Sequence, residues 1–197
     1  MIVVSPGRSL NSNIKFPVNI SGQWHSSQDC QVSCPTLKNW LLNTGSLTER
    51  LQDHCHTFQL EVIGYQNESV SLADAEKIDC DSSIVIVREV ILSGDDVPWV
   101  FAHTIMPQAL FEDGVNDLAN LQDKPLGSVI FNDPKFSRQP FELIALPVDN
   151  SLLSDLRIAI SQPLWGRRSI FNYQEYKMMI AEVFLPFAPA YAGLSTW

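Results

Sequence analysis

The sequence predicts an α+β fold: a single domain in which helices pack on an antiparallel β-sheet. Three observations lead there. The chain has 197 residues, 45% of them apolar and 18% charged, an ordinary globular composition at a length that buries roughly 70% of the unfolded surface. Its β-branched and apolar runs come in pairs close enough in sequence to form hairpins, with helical stretches between the pairs instead of the strict strand-helix alternation of a parallel sheet. Neither GxGxxG nor GxxxxGK[ST] occurs, so a doubly wound nucleotide-binding fold has no support.

The elements follow in order. Residues 1–35 are rich in Ser, Asn, Gln and Pro with no sustained apolar period, which predicts a loosely packed polar arm ahead of a domain spanning residues 36–197. Thr36 to Leu42 and Ser46 to His56 read as two short helices broken at Gly45, with Ser46 and Glu49 spaced as a capping box. Phe58 to Tyr65 reads as a strand, Ser71 to Lys77 as a helix, and Ser83 to Leu92 as a buried β-branched strand. The turn residues Ser93-Gly94-Asp95-Asp96 join that strand to Val97–Met106 as a hairpin, which Pro107 ends. Leu110, Phe111, Val115, Leu118 and Leu121 give Gln108 to Leu121 a helical spacing, and Pro125-Leu126-Gly127 opens a new segment. Phe141 to Leu146, Arg167 to Tyr173 and Lys177 to Leu185 complete the strands, the last two as a second hairpin.

Charge and termini narrow the function classes. A formal charge of −9 with 13 Lys+Arg disfavours nucleic acid, whose affinity rests on clustered cations. An anionic small molecule stays open, because one buried arginine decides that locally. Ile2-Val3-Val4 before Pro6 is too short for a secretory segment, and no 18-residue apolar run follows, so a cytoplasmic protein without stable membrane insertion is expected. The four cysteines are then expected as thiols. Cys30, Cys34, His54, Cys55 and His56 match no zinc spacing, and no GxSxG elbow is present, so neither a metal nor a nucleophilic triad is expected.

Two charges fall where a sheet should be dry. Alternation places Arg88 on the face of Ile84, Ile86, Val90 and Leu92, and Glu182 on the face of Met178, Ile180 and Phe184. A guanidinium keeps its proton, so burying it without a partner costs several kcal/mol. Two readings stand at this point. If both residues line one cavity, they could hold opposite ends of a small aromatic acid; if they touch, they are a buried ion pair. Trp165-Gly166-Arg167-Arg168 adds two cations aimed at opposite faces, for a second anion or a solvated strand end.

Trp40-Leu41-Leu42 with Ser46-Leu47-Thr48, Val87-Arg88-Glu89, Pro98-Trp99, Pro125-Leu126-Gly127, Leu164-Trp165-Gly166-Arg167-Arg168-Ser169 and Glu182-Val183-Phe184-Leu185-Pro186, in that order and spacing, resemble the chorismate lyase family from about Thr36 to Tyr191. The resemblance implies the chorismate lyase-like fold, with an internal ligand cavity closed by helical flaps. It also implies cleavage of chorismate to 4-hydroxybenzoate and pyruvate without metal or organic cofactor. It puts the substrate-contacting arginine on Arg88, the hydroxyl-contacting glutamate on Glu182 and the flap contacts on Leu47 and Leu126. Family members commonly carry a second arginine where this chain has His103, which leaves His103, or Arg167 or Arg168 in its place, to meet the pyruvyl group. A monomer is expected, its product entering ubiquinone or plastoquinone synthesis. The rival of another class is a non-catalytic sensor of small aromatic acids, because the fold is shared with effector-binding domains of transcription regulators. The first 35 residues are too few and too polar for a helix-turn-helix to accompany it. A lyase acting on a related anionic ring compound is the third reading.

Overall fold

A computed structural model describes residues 14–18, 20–82, 84–112, 118, 121 and 124–194. Within them the strands are β1 (His25–Ser26), β2 (Phe58–Ser69), β3 (Ile84–Gly94), β4 (Val97–Met106), β5 (Phe136–Arg138), β6 (Glu142–Leu146), β7 (Leu164–Tyr173) and β8 (Tyr176–Phe184). They form one antiparallel sheet in the order β1-β6-β7-β8-β4-β3-β2, with β5 also beside β7. The helices are α1 (Pro35–Leu42), α2 (Leu47–Gln52), α3 (Leu72–Lys77), α4 (Ala109–Glu112), α5 (Gly127–Ile130) and α6 (Ser151–Asp155). This is the α+β plan expected from the paired strands.

Local chemistry explains where elements begin. Ser46 Oγ accepts from Glu49 N–H at 3.3 Å and Ser71 Oγ from Asp74 N–H at 3.1 Å, capping α2 and α3. The helix expected to run to His56 stops at Gln52. Just beyond it, Asp95 Oδ1 accepts from the N–H groups of His56 and Thr57 at 3.0 and 2.9 Å, drawing the chain into β2. Asp95 and Asp96 turn the β3-β4 hairpin with φ of 49° and 64°, the two positive angles of a type I′ turn. Of the helix expected over Gln108 to Leu121, the structure shows Ala109–Glu112, with Leu118 and Leu121 buried; residues 113–117, 119 and 120 lie outside the described residues. Ser83, the expected first residue of β3, does as well.

The polar segment before α1 is more closely packed than its composition suggests. Over its described part, Val18 is fully buried and donates its N–H to Glu89 Oε1 at 2.8 Å, β1 pairs with β6, and Ile20 and Trp24 pack against the core. Isolated apolar residues that share no period with one another still cover a sheet face when the backbone meets them one at a time.

One pairing organises the domain. β4 and β8 join the N-terminal strands β2-β3-β4 to the C-terminal strands β6-β7-β8, with Ala102 opposite Glu182 and Thr104 opposite Ile180. At this seam the floor on one face of the sheet is made by small side chains, Ala102, Thr104 and Ser169 among them, and a cavity opens above it.

Candidate active site

Arg88 stands on β3 opposite Thr104, and Glu182 stands on β8 opposite Ala102. The two are therefore two strands and one pleat apart, about 12 Å between Cα atoms on standard strand spacing. Both line the same cavity. They are not an ion pair with each other. Glu182 Oε2 instead accepts from Arg167 Nε at 2.6 Å, across the β7-β8 register that sets Arg167 opposite Glu182. Arg167 is 3% exposed, and its Nη1 donates to the carbonyls of Trp40 and Asn43 at 3.0 and 2.9 Å. The carboxylate is thus clamped from behind by an arginine that the C-terminus of α1 holds in place. A Cβ at Gly166 would come within 3.1 Å of Glu182 O, so the glycine next to Arg167 lets β7 close tightly on β8.

The roof comes from two short helices. Leu47, the first residue of α2, and Leu126, the N-cap of α5, both face the cavity and are buried. Backbone N–H groups at such positions have no partner inside their helix. A Cβ on Gly127 would lie 3.4 Å from Ser46 Oγ, so the two helix starts touch. Arg88 Nη2 donates to Lys124 O at 2.9 Å, tying the segment that leads into α5 to the sheet below.

A third arginine completes the lining. Arg138 on β5, which sequence reasoning missed, enters the cavity over the faces of Phe141 and Phe171, its guanidinium carbon 4.4 and 5.9 Å from their ring centres. Arg167 lies 4.7 Å from the centre of the same Phe141 ring. Burial, then the charge of Arg167, push the Arg138 guanidinium below its usual range, while Glu182 acts in the opposite sense. Three guanidiniums against one carboxylate leave the described lining with a formal charge of +2, in a chain whose net charge is −9.

His103 and Arg168 are elsewhere. Their neighbours in sequence, Ala102 and Arg167, face the cavity, so the strand pleat sends His103 and Arg168 to the reverse face, where they line a separate depression beside Trp24. This corrects the expectation that they share the site of Arg88 and Glu182. His103 Nδ1 lies 2.8 Å from Glu89 Oε1, and Arg168 Nε donates to Glu142 Oε2 at 2.7 Å. Burial pushes the Glu89 carboxyl up, against the bonds from His103 and Val18.

Comparisons with known proteins bear on the family and the fold. The family model described as chorismate lyase matches residues 19–193. The chain is 45% identical to a probable chorismate pyruvate-lyase of Pseudoalteromonas atlantica, over 85% of this chain and 88% of that one. It is 33% identical to a probable chorismate pyruvate-lyase of Shewanella frigidimarina, over 93% and 98%. Among solved structures, a GntR-family transcriptional regulator from Bacillus cereus aligns with a TM-score of 0.51 at 16% identity, over 66% of this chain and 92% of that one. The effector domain of PhnF from Mycobacterium smegmatis also aligns at 0.51, at 12% identity over 74% and 91%. These two likenesses show the fold alone. The match along nearly the whole described length, with the cavity's charged residues inside it, shows that the chain belongs to the chorismate lyase family.

Proposed function

We propose that this protein is a chorismate pyruvate-lyase, converting chorismate to 4-hydroxybenzoate and pyruvate. The observation that carries the reading is the cationic cavity of a chorismate lyase family chain, with Arg88 at one end and the Arg167-Glu182 pair at the other. Chorismate is a dianion. Three guanidiniums around a floor of small side chains suit it, and the single carboxylate suits a ring hydroxyl.

The chemistry asks little of the protein beyond placement. The bond between the ring and the enolpyruvyl oxygen breaks, the ring carbon bearing the hydroxyl gives up its hydrogen as a proton, and the departing enolate takes a proton to become pyruvate. Aromatisation drives the step, so orientation and stabilisation of developing charge are what the site contributes. In this reading Arg88 anchors the ring carboxylate, and Glu182, steered by Arg167, accepts the hydroxyl hydrogen bond and stands nearest the proton that leaves. The walls and backbone N–H groups of Leu47 and Leu126 close over the ring and exclude water. No cofactor or metal takes part. We infer as well that the protein is a cytoplasmic monomer whose 4-hydroxybenzoate feeds ubiquinone or plastoquinone synthesis. No described helix is long and apolar enough to cross a membrane.

The test is a coupled assay of purified protein with chorismate, following pyruvate through lactate dehydrogenase and 4-hydroxybenzoate by chromatography. Equimolar products above the uncatalysed rate are expected. Tight 4-hydroxybenzoate binding with no pyruvate above background would sink the reading in favour of a sensor.

A further inference from the structure

The reading above leaves one charged group of the described cavity lining unused. Arg138 makes no hydrogen bond or ion pair with its side chain among the described residues; two phenylalanine faces alone hold it. Arginine in such a site carries five donors and cannot shed its charge. Its neighbour Arg167 is committed, with Nε on Glu182 and Nη1 on two backbone carbonyls, three of its five donors. Both guanidiniums lie against the Phe141 ring, and their distances to its centre bound their separation at about 9 Å. Arg138 is therefore the cation with donors to spare beside the Arg167-Glu182 end.

We propose that Arg138 binds the carboxylate of the enolpyruvyl group, the three-carbon fragment that leaves. The inference rests on the lyase reading. Chorismate carries its two carboxylates on opposite flanks: one on the ring, directed to Arg88, the other on a side chain attached next to the hydroxyl-bearing carbon. A ring whose hydroxyl meets Glu182 thus presents the enolpyruvyl group at the end where Arg138 and Arg167 share Phe141. The planar fork matches a carboxylate in two parallel bonds, and the aromatic faces fix its plane without competing for its donors. Arg138 also stays close to the negative charge that grows on the enolate as the C–O bond breaks, so its contact persists from substrate to transition state.

The discriminating comparison is between chorismate, which has this carboxylate, and 4-hydroxybenzoate, which does not. Arg138→Gln keeps a stem over Phe141 and removes the charge. It is expected to lower kcat/KM for chorismate by about 30-fold, the scale of a lost charge-assisted bond, while moving the Kd for 4-hydroxybenzoate less than about threefold. Arg138→Lys should recover part of the loss, since it restores charge without the fork. Unfolding midpoints check that each variant is folded; if Arg138→Gln is not, the lysine variant carries the same comparison, with a smaller loss for chorismate alone. Equal weakening of both ligands, or unchanged chorismate turnover, would overturn the assignment. A wild-type protein that binds chorismate and releases no pyruvate would overturn the lyase reading only. The Arg138 comparison is then read as the ratio of the two dissociation constants, with the same thresholds.

Discussion

The two faces of the central sheet both bury charge, and they handle it differently. On the cavity face, Arg88, Arg138 and Arg167 outnumber Glu182. On the reverse face the groups pair off: Glu89 with His103, and Arg168 and Lys77 with Glu142, with Asp74 3.9 Å from Arg168. There each described cation or histidine has a carboxylate neighbour, and the pairs serve the fold. Among the described residues the cavity lining carries a surplus of cation, which suits an anionic ligand that brings the counter-charge. Burial of charge alone, then, does not identify the site; the sign of the imbalance does.

That contrast can be broken in four places. The largest effect is expected at Arg88. Arg88→Ala should reduce kcat/KM for chorismate by about a thousandfold, close to 4 kcal/mol, and weaken 4-hydroxybenzoate as well, since both carry the ring carboxylate. An activity loss below tenfold would remove Arg88 as the anchor.

Next comes Arg167, which serves site and fold together. Arg167→Met leaves Glu182 and the carbonyls of Trp40 and Asn43 without their donor, so it should cost about 3 kcal/mol of stability in addition to activity. A chemical denaturation curve superimposed on the wild type would show that the clamp is not structural.

Glu89 gives a smaller signal, read as a slope. Its folded pKa is raised by burial, so the folded state holds the proton more tightly than the unfolded one. The stability tied to it is complete below the ordinary carboxylate range and is lost as pH rises from there through the raised value. Glu142 runs the other way. Burial would raise its pKa, but the bonds from Lys77 and Arg168 outweigh burial and lower it, so its contribution is present above the ordinary range and lost on acidification. Glu89→Gln should therefore flatten the decline of unfolding free energy on the alkaline side of that range and leave the acid limb in place. An unchanged alkaline limb would contradict the assignment.

The smallest effect is expected at Arg168. Its partner Glu142 is 29% exposed, so Arg168→Gln should cost about 1 kcal/mol of stability or less and leave kcat/KM within about twofold. Loss of activity approaching that of Arg88→Ala would end the division between the faces.

How much of this was legible varies residue by residue. Arg88 and Glu182 stood out because a charge inside an alternating apolar strand is visible from period alone, and the resemblance to chorismate lyase pointed to the same two. Leu47 and Leu126 came from the resemblance only, since nothing local marks a buried leucine as a site wall. Arg138 escaped because β5 is three residues long, Phe136–Arg138, too short to show a period; the signal available was an arginine three residues ahead of Phe141. His103 was drawn toward the site by the resemblance, although period two already set it on the face opposite Ala102.

By itself the sequence determined the six longer strands, the β3-β4 and β7-β8 hairpins, the helix cap at Ser46, and the faces on which Arg88 and Glu182 lie. These are all fixed by neighbours a few residues away, through backbone geometry and alternation. Only the tertiary structure decided that β4 meets β8, and with that pairing that Arg88 faces Glu182 across a shared floor and that Arg167, not Arg88, holds the glutamate. Strand register between distant segments depends on the summed packing of two whole surfaces, and no short stretch of chain contains that sum.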